Sequence, residues 1–230
     1  MTETKARIAI IDNSLEPKVY NPVLHWGRWL TGDLEHFRAP EGRLPALGGD
    51  GFSHLILTGS EASILERESW VDREIELVRG ALDRGLSILG SCYGHQLLAM
   101  AIGGAACVRR CPEPEIGWLP IQIREESSFL GPARVAHAFT LHFDEVVPRP
   151  DLFRILASTP ECPVQAVQYG GRPVWGIQSH PEINVEDGQA ILEAEIAGGY
   201  KGADRLERAL GSIPRDSGLI RNLVSAFLRG

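Results

Sequence analysis

Short apolar runs alternate along the chain with stretches whose apolar residues recur at helical spacing. That alternation predicts an α/β fold with an open, doubly wound, mostly parallel sheet and flanking helices. Residues 6–12, Ala-Arg-Ile-Ala-Ile-Ile-Asp, are almost continuously apolar, as suits a strand buried on both faces. Further strands are predicted at 36–39, 54–57, 86–89, 153–157, 164–168 and 174–177. Val71, Ile75, Val78 and Leu82 form one stripe of a helix over 70–84. Ser69 is expected to cap it with Asp72 three residues on, and Gly85 to end it. A second helix is expected over 93–102, stopped by Gly103-Gly104. Residues 105–147 read as strands and turns. Helices close the chain at 185–197 and 216–228, the last with Leu219, Ile220, Leu223, Val224, Phe227 and Leu228 on one face. No repeat, low-complexity tract or linker interrupts this order, so residues 1–230 read as a single domain. The strands at 6–12, 54–57 and 86–89 are expected to be central, with functional groups at their carboxyl ends.

One such end carries Gly90-Ser91-Cys92-Tyr93-Gly94-His95-Gln96. Cys92 falls between a short apolar strand and the first turn of a helix, and small neighbours allow a sharp turn that projects one side chain. The free N–H groups and positive dipole end of a helix start favour a negative charge there. The N–H of Tyr93 can face a developing oxyanion. A buried structural cysteine fits the same turn equally well. Near the other end, His180-Pro181-Glu182 follows a strand. In an extended stretch, residues two apart project to the same side. Glu182 can therefore orient His180, and His180 can act as base and acid for a thiol. Taken alone, this segment is also compatible with a strand-end histidine and a solvated glutamate.

Together, Gly-Ser-Cys-Tyr-Gly-His-Gln at 90–96 and His-Pro-Glu at 180–182 resemble the motifs of class I (triad-type) glutamine amidotransferases. The resemblance covers most of the chain, from the first strand to Glu182. It implies a flavodoxin-like α/β domain and a cysteine hydrolase that releases ammonia and glutamate from the glutamine side-chain amide through a γ-glutamyl thioester. Carried onto matching positions, Cys92 is the nucleophile, His180 the base and Glu182 its orienter. Thr58-Gly59-Ser60 resembles the family's oxyanion loop, so the backbone N–H of Gly59 would join that of Tyr93, with Ser60 beside the substrate. Gln96 matches a glutamine near the substrate pocket. His142-Phe143-Asp144-Glu145-Val146 resembles a segment near the glutamine site, which makes His142 and Asp144 substrate-binding candidates. Glu115-Ile116-Gly117-Trp118 matches a stretch read as structural. Ser179 before the histidine, and His95, depart from the commonest form. They look more like stand-alone relatives of the GMP synthase glutaminase domain, a group that includes γ-glutamyl peptidases. His95 itself reads as a packed helix-face residue. The departures leave the triad chemistry intact and leave the ammonia acceptor open.

Composition narrows the setting. Net charge is −7, and no basic run exceeds a pair such as Arg109-Arg110, which disfavours nucleic-acid and anionic-membrane partners. No 18-residue apolar run exists, so no transmembrane helix is expected, and the amino terminus shows no signal-peptide pattern. The four cysteines at 92, 107, 111 and 162 form no regular framework, which points to reduced thiols in the cytoplasm. Cys107 and Cys111 lack a second pair or a nearby histidine in sequence, so no metal is expected. No cofactor is expected either. The 230 residues match an amidotransferase-type domain with nothing left over for a synthetase. The expected partners are therefore a small-molecule substrate, glutamine or a γ-glutamyl amide, and a separate synthetase subunit that takes the ammonia. A γ-glutamyl peptidase working alone is the alternative, and a non-catalytic regulatory module on the same scaffold is the reading from another class.

Overall fold

The computed structural model describes residues 6–199 and 203–230. The reading of residues 1–5 as lacking a signal lies outside them. In chain order the strands are β1 (Arg7–Asp12), β2 (Asp33–Arg38), β3 (His54–Leu57), β4 (Ser87–Ser91), β5 (Val108–Ile123), β6 (Arg134–Val146), β7 (Phe153–Ser158), β8 (Ala166–Tyr169) and β9 (Val174–Ile177). The helices are α1 (Pro22–Gly27), α2 (Val71–Asp83), α3 (Tyr93–Gly103), α4 (Val185–Ala197), α5 (Ala203–Leu210) and α6 (Leu219–Arg229). The strands form one nine-stranded sheet in the order β2-β1-β3-β4-β9-β8-β7-β5-β6. The half from β2 to β9 is parallel throughout. It has the strand order of a flavodoxin-like doubly wound sheet, whose sites open at the carboxyl ends of the strands. From β9 to β6 the ladders are antiparallel.

The continuous apolar runs are explained by burial on two sides. Ala9, Ile11, Leu55, Leu57 and Ile88 pack with Val71, Ile75, Val78 and Leu82 of α2 and Leu97 of α3. Their alternating neighbours Ile8, Ile10, Ile56 and Leu89 pack on the opposite face against Trp26 of α1 and Leu219, Leu223 and Phe227 of α6. A third cluster joins Trp118 and Phe139 of the β5–β6 hairpin to Ile191 and Leu192 of α4 and Leu206 and Ala209 of α5. Among the described residues, no helix is long and apolar enough to cross a membrane.

Three local expectations need correction. The second strand spans Asp33–Arg38 rather than 36–39. It is the edge strand paired to β1 from Arg7↔Asp33 onward, its first four residues are exposed, and one-sided edge burial leaves no apolar run to read. Ser69 does not cap α2. Trp70 occupies the cap position with helical backbone angles and no side-chain cap bond, because the turn is already closed by Val71 N–H donating to the Glu68 carbonyl (3.0 Å). Asp72 pairs with Arg67 instead. The last helix begins at Leu219 rather than 216, after Gly218 in the left-handed region. The short α1, capped by the Asn21 side chain with Pro22 in its first turn, and α5 have no counterpart in the sequence reading. The stretch 105–147 is mostly one long antiparallel hairpin.

The carboxyl ends of β3 and β4 are held together by contacts that only glycine permits. A Cβ on Gly94 would lie 2.1 Å from the Leu57 carbonyl oxygen. The Gly94 N–H donates to the Thr58 carbonyl (3.0 Å). Gly94→Ala should therefore lower unfolding stability by about 1–3 kcal/mol or more through backbone overpacking. Gly49→Ala, where an added Cβ meets nothing within 4 Å, should change it by less than about 0.5 kcal/mol. Urea unfolding of the two variants checks the contrast.

Candidate active site

Cys92 lies at the turn between β4 and α3, with φ +49° and ψ −108°. Few non-glycine residues adopt such a backbone, and such strain gathers at functional sites. Its neighbours impose the conformation. A Cβ on Gly90 would meet the Gly94 carbonyl oxygen at 2.5 Å, and the Cys92 N–H is tied to the Ile177 carbonyl of β9 (2.9 Å). The turn thus locks onto β3 and β9 at once, and the buried thiol sits at the carboxyl edge of the parallel half.

β9 ends at Ile177, and the chain continues through Ser179 to His180 beside that thiol. His180 Nδ1 is 2.8 Å from Glu182 Oε1, and the ring lines the same cavity as Cys92, whose thiol is 3.8 Å from the Leu141 carbonyl. The His180 N–H donates to the Phe139 carbonyl of β6 (2.8 Å). Gly59 fits edge-on against the ring, because a Cβ there would lie 2.6 Å from His180 Cε1. Burial alone pulls the His180 pKa down. The Cys92 and Glu182 charges, with the hydrogen bond to Glu182, outweigh burial and push it up to about 10. Glu182 is itself buried. It accepts from Tyr20 Oη (3.0 Å) and from Ser91 Oγ (3.3 Å to Oε2). Burial first, then the Glu182 charge, holds the Tyr20 phenol well above its ordinary pKa, so it serves as an O–H donor.

Cys92 and His180 open into a cavity of about 320 Å³ that is also lined by Tyr20, Ser60, Tyr93, Gln96, His142 and Asp144. Glu182 and Gly59 stand behind it, against His180. The sequence candidates are therefore brought together, but not all with free polar atoms. Gln96 Nε2 donates to the Asp144 carbonyl (2.8 Å). The His142 ring faces Glu115 (Nε2 to Oε2, 2.9 Å) and the Asp144 carbonyl (Nδ1, 3.1 Å). Asp144 accepts from Ser63 Oγ (2.6 Å) and pairs with Arg110 (3.0 Å). His95 is wholly buried. It lies so close to β9 that a Cβ on Gly176 would be 2.1 Å from its Nδ1, and burial pulls its pKa down to about 3, as fits a packed residue. Sequence reasoning misses Tyr20, Ser91, Ser63 and Arg110. Ser91 could have been suspected from its place in Gly-Ser-Cys. Tyr20 and Arg110 give no local signal. Beneath the turn, Tyr93 Oη donates to Glu74 Oε2 of α2 (3.2 Å), and burial pushes the Glu74 carboxyl from 4.5 up to about 8.

Comparison with known proteins agrees with this geometry. Residues 50–197 match the family model described as glutamine amidotransferase class-I. The glutamine-hydrolyzing GMP synthase of Aeropyrum pernix is 35% identical over 142 residues, covering 60% of this chain and 26% of that protein. A subunit of the glutamine-hydrolyzing GMP synthase of Pyrococcus abyssi is 39% identical over 107 residues, 46% of this chain and 56% of that protein. The chain thus spans about a quarter of the first of these relatives and little more than half of the second. A glutamine amidotransferase structure from Thermotoga maritima superposes with a TM-score of 0.74 at 20% identity, over 98% of this chain and 99% of that one, a likeness of fold.

The buried Glu74 predicts an unusual pH dependence. Unfolded, it ionises near 4.5; folded, near 8. Between those values the folded state holds the extra proton, so stability falls as pH rises, by about 1.4 kcal/mol per pH unit from this group. Glu74→Gln, which can still accept from Tyr93, removes that slope. Its stability advantage over the parent should be small at pH 4 and grow up to about pH 8, as measured by urea unfolding across that range.

Proposed function

The chain belongs to the class-I glutamine amidotransferases, and on that premise we propose that Cys92, His180 and Glu182 hydrolyse the side-chain amide of glutamine. The observation that carries the reading is the His180 ring held between a strained, cavity-facing Cys92 and a buried Glu182. Cys92 attacks the amide carbon as a thiolate paired with the His180 imidazolium. The backbone N–H groups of Tyr93, at the start of α3, and of Gly59 take up the oxyanion. His180 then gives its proton to the departing nitrogen, ammonia leaves, and a γ-glutamyl thioester remains. Water next attacks the thioester with His180 as base, glutamate departs, and the thiol is restored. Glu182 keeps the ring in one orientation and balances its charge, while Tyr20 and Ser91 hold Glu182 in turn.

The amino-acid end of the substrate lies along the wall of Ser60, Gln96, His142 and Asp144. Asp144 and Arg110 offer opposite charges to an amino and a carboxylate group, and Gln96 and His142 stiffen that wall through the bonds already described. The names of the relatives, a glutamine-hydrolyzing GMP synthase and one subunit of another, support ammonia transfer to a separate synthetase subunit over release to solvent.

Cys92→Ala should lower glutamate release at least ~10³-fold with the fold intact by circular dichroism. The substrate arms of the assay are glutamine and γ-glutamyl dipeptides. Turnover of dipeptides well above that of glutamine replaces the amidotransferase reading with a peptidase, and unchanged turnover in Cys92→Ala removes both. Glu182→Gln should lower kcat by about 10²–10⁴-fold. Losing the Glu182 charge leaves burial less opposed, so the His180 pKa falls. The alkaline limb of kcat/KM should then move to lower pH, a shift that simple loss of folded protein would not produce.

A further inference from the structure

Glu115, His142 and Cys162 meet in a buried cluster of which the proposed function uses only His142, as part of the cavity wall. Their ligand atoms all lie within 4.8 Å of one another. The three come from separate segments: Glu115 from β5, His142 from β6, and Cys162 from the connection between β7 and β8. A bulge between Arg110 and Glu115 sets the register that places Glu115 directly opposite His142. From sequence, no metal is expected at Cys107 and Cys111. Cys107 lies elsewhere, near Arg149, and the donors that do assemble have no recognisable spacing.

The hydrogen bonding inside the cluster is compatible with either neutral tautomer of the His142 ring. His142 Nδ1 is 3.1 Å from the Asp144 carbonyl, which can only accept, and 3.4 Å from Cys111 Sγ. His142 Nε2 faces the Glu115 carboxylate at 2.9 Å. A neutral ring carries one N–H. With that proton on Nε2, the ring donates to Glu115 and its Nδ1 faces the Cys111 thiol; with it on Nδ1, the ring donates to the Asp144 carbonyl and turns the Nε2 lone pair towards the Glu115 carboxylate. The second tautomer can ligate a cation through Nε2, and its Nδ1–H bond to a backbone carbonyl is the outer-shell contact that orients a metal-bound histidine. A fourth donor is at hand. Gln165 is fully buried, its Nε2 reaches Glu115, and its Oε1 has no hydrogen-bond partner.

We propose that Glu115, His142 and Cys162 bind one zinc-like divalent transition-metal ion, with the Gln165 amide turned over so that Oε1 replaces Nε2 beside it as the fourth ligand. The mixed nitrogen, sulfur and oxygen donors suit zinc or a similar borderline ion rather than calcium or magnesium. The charges of the thiolate and the carboxylate together neutralise the ion. On binding, the Cys162 S–H bond breaks, a metal–sulfur bond forms, and one proton passes to solvent without any redox change. The ion clasps the β7–β8 connection to the hairpin that forms the cavity wall at His142 and Asp144, and so acts structurally.

The test is a titration of metal-stripped full-length protein with cobalt(II), followed by zinc. The expected result is one equivalent bound with a thiolate-to-cobalt charge-transfer band, which zinc then abolishes. Cys162→Ser should lose the band and bind zinc at least tenfold more weakly, while Cys107→Ser and Cys92→Ala keep both. No band in the wild-type protein overturns the proposal. So does a band that survives in Cys162→Ser or disappears in Cys92→Ala, the last result assigning the ion to the Cys92 site. If Cys162→Ser fails to fold, the other three thiols decide the matter: a one-equivalent band that persists in Cys92→Ala, Cys107→Ser and Cys111→Ser assigns the ion to Cys162, and its loss from any of them refutes the site. Because Cys92→Ala is expected to be inactive yet to bind the ion, failure here and failure of the hydrolytic reading are separable.

Discussion

The close approach of Gly94 to the end of β3 is the constraint on which the site depends. With the α3 backbone pressed against the Leu57 carbonyl and Gly90 pressed against Gly94, the chain has no room for an ordinary turn between β4 and α3. The residue between them is forced to φ +49°. That residue is Cys92, and the strain delivers its thiol to the cavity. The surrounding core makes the arrangement affordable. β1, β3 and β4 are buried on both faces, α3 is almost wholly buried, and the Cys92 and Gly94 N–H groups find carbonyls on β9 and β3. Two missing Cβ atoms thus place a thiol, the proposed nucleophile, that its own side chain does nothing to position.

The second half of the site is supplied by the antiparallel extension. The strands run outward from β9 to β6, yet β6 curls back so that Phe139 accepts the His180 N–H. The far edge of the sheet therefore becomes a wall of the cavity beside its centre. This return carries Leu141, His142 and Asp144 to Cys92, and the carboxylates of Glu115 and Glu182 are both buried. Each solves its desolvation differently. Glu182 faces the His180 ring, Tyr20 and Ser91, while Glu115 collects Thr159, Gln165 and His142. Buried carboxylates persist only with such partners, and all of them except His180 come from distant parts of the chain.

The local reading succeeded where one segment carries its own geometry. The strand–turn–helix at Cys92 has its glycines in place, and His180 and Glu182 do meet, though not on the extended stretch expected: Pro181 and Glu182 form a turn closed by the Ile183 N–H donating to the His180 carbonyl (3.2 Å). The apolar runs of β1, β3 and β4 and the stripe of α2 were visible for the same reason. Reading failed at β2, where an edge strand needs no apolar pattern, and at Ser69, where a backbone turn had already satisfied the donor a cap would serve. It also failed for Tyr20, which is 162 positions from the Glu182 it supports.

By itself, then, the sequence determined the parallel, doubly wound half of the sheet, the elbow and the pairing of His180 with Glu182. Hydrophobic periodicity, glycine sterics and a four-residue turn at His180 are local properties. Only the tertiary structure decided which carbonyl holds Cys92, which hydroxyls hold Glu182, where the His142 ring turns and that Cys162 joins Glu115. Those choices follow from sheet register and from the return of β6, which bring together residues whose separation along the chain carries no periodic signal.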